Sequence, residues 1–181
     1  MKKILLTVLI LATGMILAGA DIPSGWVTGT RQAVKRAETE KKPLLVLISD
    51  CDWQGTGKNL YNQVLNNDDF QRIAPKYAVC LLVKVSKKPT AKETAALKKV
   101  FKSFYNGKVP AYAILDPKLN QLAKPSAVTA AGFITAISDA REKMGGKIIP
   151  AVKKMKREAD KAARKKEKLE RKKKKGFGKK K

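Results

Sequence analysis

The chain has two cysteines, Cys51 and Cys80, and no histidine. Without an imidazole there is no Ser-His or Cys-His couple and no His-ligated zinc, so neither a metal site nor a cofactor is expected. Proton transfer near neutral pH would fall to a carboxylate, lysine or cysteine displaced from its ordinary pKa. Thiol chemistry rests on Cys51 and Cys80 alone. A second candidate is Gly55-Thr56-Gly57-Lys58, between an apolar run and a helical pattern. The phosphate-loop pattern G-x-x-x-x-G-K-[ST] needs glycine at 52 and a hydroxyl at 59, where Asp52 and Asn59 stand. Nucleotide hydrolysis is therefore not expected. Lys58 and exposed amides at a helix start would still suit a small anion. The alternative is that the glycines only permit a sharp turn.

The first residues bear on where such chemistry would happen. Met1-Lys2-Lys3 is cationic, residues 4–17 are apolar apart from Thr7, Thr13 and Gly14, and Ala18-Gly19-Ala20 is a small-x-small triplet. This reads as a signal peptide over 1–20, with Asp21 as the mature start. The apolar run is short for a span of ~20 residues. No cysteine stands at the cleavage point to carry a lipid. The chain is expected in a bacterial periplasm or outside the cell. The mature chain from Asp21 is long enough for one domain with its own core.

The net charge is +25, and residues 151–181 hold 17 Lys/Arg against 4 Asp/Glu, a net +13. Such a chain adheres to anionic polymers and surfaces.

Between leader and tail the apolar spacing predicts the elements that position any site. Residues 31–40 read as a helix and 43–49 (PLLVLIS) as a strand covered on both faces. A polar loop over 50–57 leads to a helix at 58–65 and a short helical turn at 69–74. Residues 77–85 (YAVCLLVKV) form the next buried strand. Thr90 to Glu93 matches a capping box. The helix it opens carries Leu97, Val100, Phe101 and Phe104 inward and stops at Gly107. Residues 111–115 form a third strand, 121–124 a short antiparallel return, and 130–144 a last helix ended by Gly145-Gly146. Parallel strands joined by helical crossovers, then a hairpin and a helix, predict a three-layer α/β sandwich over 21–146.

This order resembles the thioredoxin superfamily, most nearly its small secreted bacterial members. Those read strand, Ser-Asp-Trp-Cys-x-x-Cys-Lys, helix. Here the matching stretch is Asp52-Trp53-Gln54-Gly55-Thr56-Gly57-Lys58. Residues 64–70 (VLNNDDF) fit the segment after it, Lys108-Val109-Pro110-Ala111-Tyr112 the cis-proline loop, and Asp116-Pro117 the turn before the last hairpin. The resemblance implies a groove for a protein or peptide at Trp53, Gln54, Gly55, Thr56, Gly57, Lys58, Val109 and Pro110. It also implies a departure. Gln54 and Gly57 occupy the two cysteine positions, a degenerate CxxC. Exchange needs one thiolate to attack and a second thiol to resolve the mixed disulfide, and an amide and a glycine do neither.

The remaining cysteines are not expected to pair. In a parallel register position 51 faces about position 86. The offset to Cys80 is then on the order of 15–20 Å, beyond disulfide reach. Cys80 reads as a small buried apolar residue. Cys51, close to Lys58 and a helix start, is the candidate for a one-thiol role.

From Pro150 the tail (147–181) reads as a helix with a thin apolar stripe of Val152, Met155, Ala159 and Ala162 and several i,i+4 ion pairs, becoming disordered from Lys172. Three functions remain open. One is a thioredoxin-fold binding or scaffold module without dithiol catalysis, held at an anionic envelope surface by its tail. The second is a thiol–disulfide oxidoreductase or thiol-capturing protein using Cys51. The third is a basic nucleic-acid-binding protein, although the export signal leaves nucleic acid as a non-specific ligand only.

Overall fold

The structure is a computed structural model and describes residues 23–50, 56–86 and 88–177. The expected leader and residues 51–55, which include Cys51, Trp53, Gln54 and Gly55, lie outside the described residues.

β2 (Leu44–Ser49) organises the molecule, and all six of its residues are buried. An unbroken run of branched apolar residues needs apolar partners on both faces, and it has them. Leu45 and Leu47 enter one apolar cluster. Leu44, Val46 and Ile48 enter the other. β3 (Val79–Lys84) lies parallel to β2 with Leu45 opposite Cys80 and Ser49 opposite Lys84. β4 (Ala111–Leu115) lies antiparallel on the other side, Ile48 opposite Ala111. β1 (Trp26–Val27) borders β3, and β5 (Gln121–Ala123) borders β4, giving the sheet order β1-β3-β2-β4-β5.

Helices cover both faces. α1 (Thr30–Glu40) contributes Ala33 and Ala37 to one cluster, beside Phe101 and Tyr105 after α4 (Ala91–Val100). α2 (Thr56–Leu60), α3 (Asp68–Tyr77), α5 (Ala130–Lys143) and the start of α6 (Pro150–Phe177) cover the other face. An aromatic chain crosses this second layer. Trp26 meets Phe70 at 6.4 Å, Phe70 meets Phe133 edge-on at 5.9 Å, and Phe133 meets Tyr112 at 4.9 Å. This is the expected three-layer α/β sandwich.

Several boundaries differ from the sequence reading, each for a local reason. β1 was not expected, because two residues are too few to show a period. The helix expected at 58–65 starts at Thr56 and changes to π geometry over Tyr61–Leu65. A wider turn lets Leu60, Val64 and Leu65 all point inward. The turn expected at 69–74 is a ten-residue helix. The Asn67 side chain accepts the Phe70 N–H at 3.0 Å and starts it. It continues through Pro75, which removes one helical donor. Tyr77 therefore ends a helix rather than opening a strand. α4 has the expected capping box between Thr90 and Glu93, but it ends at Val100. Phe101 leaves the helical path, and a tight turn follows in which its carbonyl accepts the N–H of both Phe104 and Tyr105. Gly107, at φ +101°, thus stands in the loop beyond and does not cap α4. The helix expected from Pro150 is α6, Pro150–Phe177. Lysine and arginine are good helix formers, and carboxylates at i,i+4 support them.

Candidate functional site

The site implied by the sequence lies at the edge of the sheet where β2 ends. The β2–β4 ladder stops at Ile48 and Ala111. The next position on β4's side is Pro110, which has no N–H with which to extend it. The Val109–Pro110 peptide is cis. Both residues are half-buried, and Val109 packs, as Ala111 does, on the cluster that holds Ile48. On β2's side the chain passes from buried Ser49 to half-buried Asp50, then re-enters the described structure at Thr56, the first residue of α2. Continuing the antiparallel register by one residue puts Pro110 opposite Ser49.

Of the eight expected groove residues, Val109 and Pro110 are placed together, and Thr56, Gly57 and Lys58 form the first turn of α2. Gly57 is buried, so it belongs to the packed start of the helix rather than to an open loop. Lys58, one residue on, is exposed. Trp53, Gln54 and Gly55 fall outside the described residues.

Cys80 is 1 % exposed in the middle of the sheet, and it is a free cysteine. Burial pushes its thiol up to about 12, against smaller opposing effects of the Arg36 and Lys42 charges. A thiol so protected from ionisation neither attacks nor exchanges near neutral pH. The reading of Cys80 as an apolar core residue holds. The register that separated it from Cys51 is also observed: Ser49 faces Lys84, while Cys80 faces Leu45.

The sequence reading passes over two residues of this region. Asp50 is a lone polar residue at a strand end. Tyr105 lies in the segment leading to Pro110 and is 4 % exposed. Burial raises its phenol above the ordinary range, and the hydroxyl finds no hydrogen-bond partner among the described residues. It continues the i,i+4 series Leu97, Phe101, Tyr105, which would have marked it as inward-facing.

Elsewhere, a shallow hollow of about 510 Å³ is lined by Ser24, Gly25, Asp68, Gln71, Arg72, Pro75 and Lys76. It includes neither Pro110 nor α2. Among the described residues no group of three or more His, Cys, Asp or Glu side chains gathers to hold a metal, and no helix is long and apolar enough to cross a membrane.

A model of the thioredoxin-like family matches residues 25–117, from the start of β1 through β4 and the turn after it. The chain belongs to the thioredoxin-like family. Among solved structures, a DsbH oxidoreductase is 19 % identical, with a TM-score of 0.50 over 72 % of this chain and 91 % of its own. At that identity the likeness is one of fold. No curated protein matches the chain. Family membership accounts for the sheet order β1-β3-β2-β4-β5.

Proposed function

We propose that this chain is an exported thioredoxin-fold module that binds a protein or peptide at the Pro110 edge and does not carry out dithiol exchange. The observation that supports it most is Gly57. It is buried in the first turn of α2, where the family resemblance implies the second of two thiols. The other half of the pair would be Gln54. Cys80 offers no substitute, being sealed in the sheet. A groove that keeps its proline and loses its thiols retains recognition without transfer. The leader over 1–20 supports export, and the basic α6 supports attachment to an anionic envelope surface.

The DsbH neighbour is named an oxidoreductase, which favours a second reading in which Cys51 acts as a lone nucleophile. One experiment separates them: insulin disulfide reduction in dithiothreitol by the purified protein, beside a Cys51→Ser variant. The binding-module reading expects no rate above the dithiothreitol blank from either protein. A clear rate that disappears in Cys51→Ser would make Cys51 the nucleophile and remove the first reading. N-terminal sequencing of the exported protein checks the leader, with Asp21 expected first. Recovery of the whole chain in the cytoplasm would count against export and revive nucleic acid as its partner.

A further inference from the structure

α6 holds 14 Lys/Arg and 4 Asp/Glu, and its charges are sorted by side. The start of the helix fixes its orientation. Val152 is buried in the core, Met155 packs against it, and the Lys156 ammonium stands 3.8 Å from Asp139 on α5. These three residues mark the side facing the domain. At about 100° per residue, Lys153, Lys154, Arg157, Lys161, Arg164 and Lys165 fall within roughly 60° of a line on the opposite side. All six are exposed. Glu158, Asp160 and Glu167 fall outside that stripe. The sequence repeats its three- and four-residue spacing at positions 168, 171, 172 and 175. At ~1.5 Å per residue the row from 153 to 165 extends about 18 Å.

From this sorting we infer that the side of α6 turned away from the domain is a docking surface for an anionic phospholipid bilayer. The inference rests on the reading of α6 as an attachment element of an exported protein. A single straight row of cations matches a flat, laterally extended layer of phosphates. Within residues 153–165 the row contains only Lys and Arg, with no uncharged hydrogen-bonding side chain of the kind that reads base edges. It also contains no aromatic or large apolar residue, so the helix lies at head-group depth and is held by charge rather than by insertion.

The test uses the full chain expressed with its own leader, with vesicles of phosphatidylcholine alone or with about a quarter phosphatidylglycerol, at roughly 0.1 M salt. Neutral vesicles subtract any contribution of the apolar residues 4–17. Arg157→Gln with Lys161→Gln removes two charges from the row. Lys156→Gln with Lys166→Gln removes two from the remainder of the helix. Glutamine preserves helix propensity in both. Each cation near such a surface is worth about fivefold in affinity. The row variant should therefore bind anionic vesicles about thirtyfold more weakly, and the other variant within about threefold of the parent. Equal losses in the two variants would overturn the one-sided surface while leaving attachment by α6 intact. No preference of the parent for anionic over neutral vesicles would remove the attachment reading itself. Row-dependent binding to a short DNA duplex without binding to anionic vesicles would replace the bilayer with nucleic acid and overturn the inference.

Discussion

The Ser138 hydroxyl accepts the backbone N–H of Ile149 at 3.0 Å inside the core. Ser138 is completely buried on α5, and Ile149, 1 % exposed, immediately precedes α6. This one bond, together with Val152 and Met155, sets the direction in which the basic helix leaves the domain. Ser138→Ala would leave the Ile149 amide buried without its partner. A cost of about 1–3 kcal/mol is expected in urea unfolding. Limited proteolysis should also cut the linker between α5 and α6 sooner. A loss below about 0.5 kcal/mol with unchanged proteolysis would show that apolar packing alone holds α6.

Cys80 should make the fold sensitive to alkali. Its ordinary value is 9.0 and its folded value about 12. Below pH 9 the thiol is protonated whether the chain is folded or not, so its contribution is fully present. Above pH 9 the unfolded chain releases the proton while the folded one keeps it, and stability falls by about 1.4 kcal/mol per pH unit until the folded thiol also ionises. Lysines and tyrosines titrate in the same window, so the informative quantity is a difference. Stability of the parent minus that of Cys80→Ala, measured at pH 8.5, 9.5 and 10.5, should decline by about 0.7 kcal/mol over the first interval and approach that slope over the second. A flat difference would mean that Cys80 ionises freely in the folded protein. Iodoacetamide at pH 8 should leave Cys80 unmodified until denaturant is added.

Gly132 lies in the first turn of α5, where its N–H donates to the Thr129 hydroxyl at 3.1 Å. Alanine there would ordinarily stabilise a helix by about 1 kcal/mol. A Cβ at this position would instead come within 2.6 Å of the Ala127 carbonyl oxygen, a backbone atom. Gly132→Ala is therefore expected to lose about 1–2 kcal/mol net as the preceding turn is displaced. Thermal unfolding decides it, since a higher melting temperature would show that the turn before α5 yields without cost.

These positions show what the sequence could and could not convey. The long branched runs around Val46 and Leu81 specified buried strands, and the Thr90 and Glu93 pair specified a helix start, because each effect lies within a few residues. Pro110 was legible from its place before a strand, and Cys80 from the apolar run around it. Ser138 was not, because a serine in a helix looks solvated until a partner 11 residues away meets it. The short turn read at 69–74 fell short of α3, which runs on through Pro75 to Tyr77. The close approach of the Pro75 ring to the Gly25 position is a tertiary fact. Charge sorting on α6 was present in the sequence, but the side facing the domain became defined only through Val152, Met155 and the Lys156–Asp139 pair.

Tyr105 separates the worth of a ring from the worth of its hydroxyl. The ring fills the cluster formed by α1, the sheet and Phe101, just before the segment that carries Pro110. The hydroxyl is buried there without a partner among the described residues. A buried hydroxyl that makes no bond has given up its hydration for nothing in return. Tyr105→Phe keeps the packing and removes that penalty, so it should be neutral or stabilise the fold by up to about 1 kcal/mol. Tyr105→Ala removes the ring and should cost about 3–5 kcal/mol. Equilibrium urea unfolding of both variants provides the comparison. If Tyr105→Phe instead lost more than about 1 kcal/mol, the hydroxyl would have to be bonded in the folded protein.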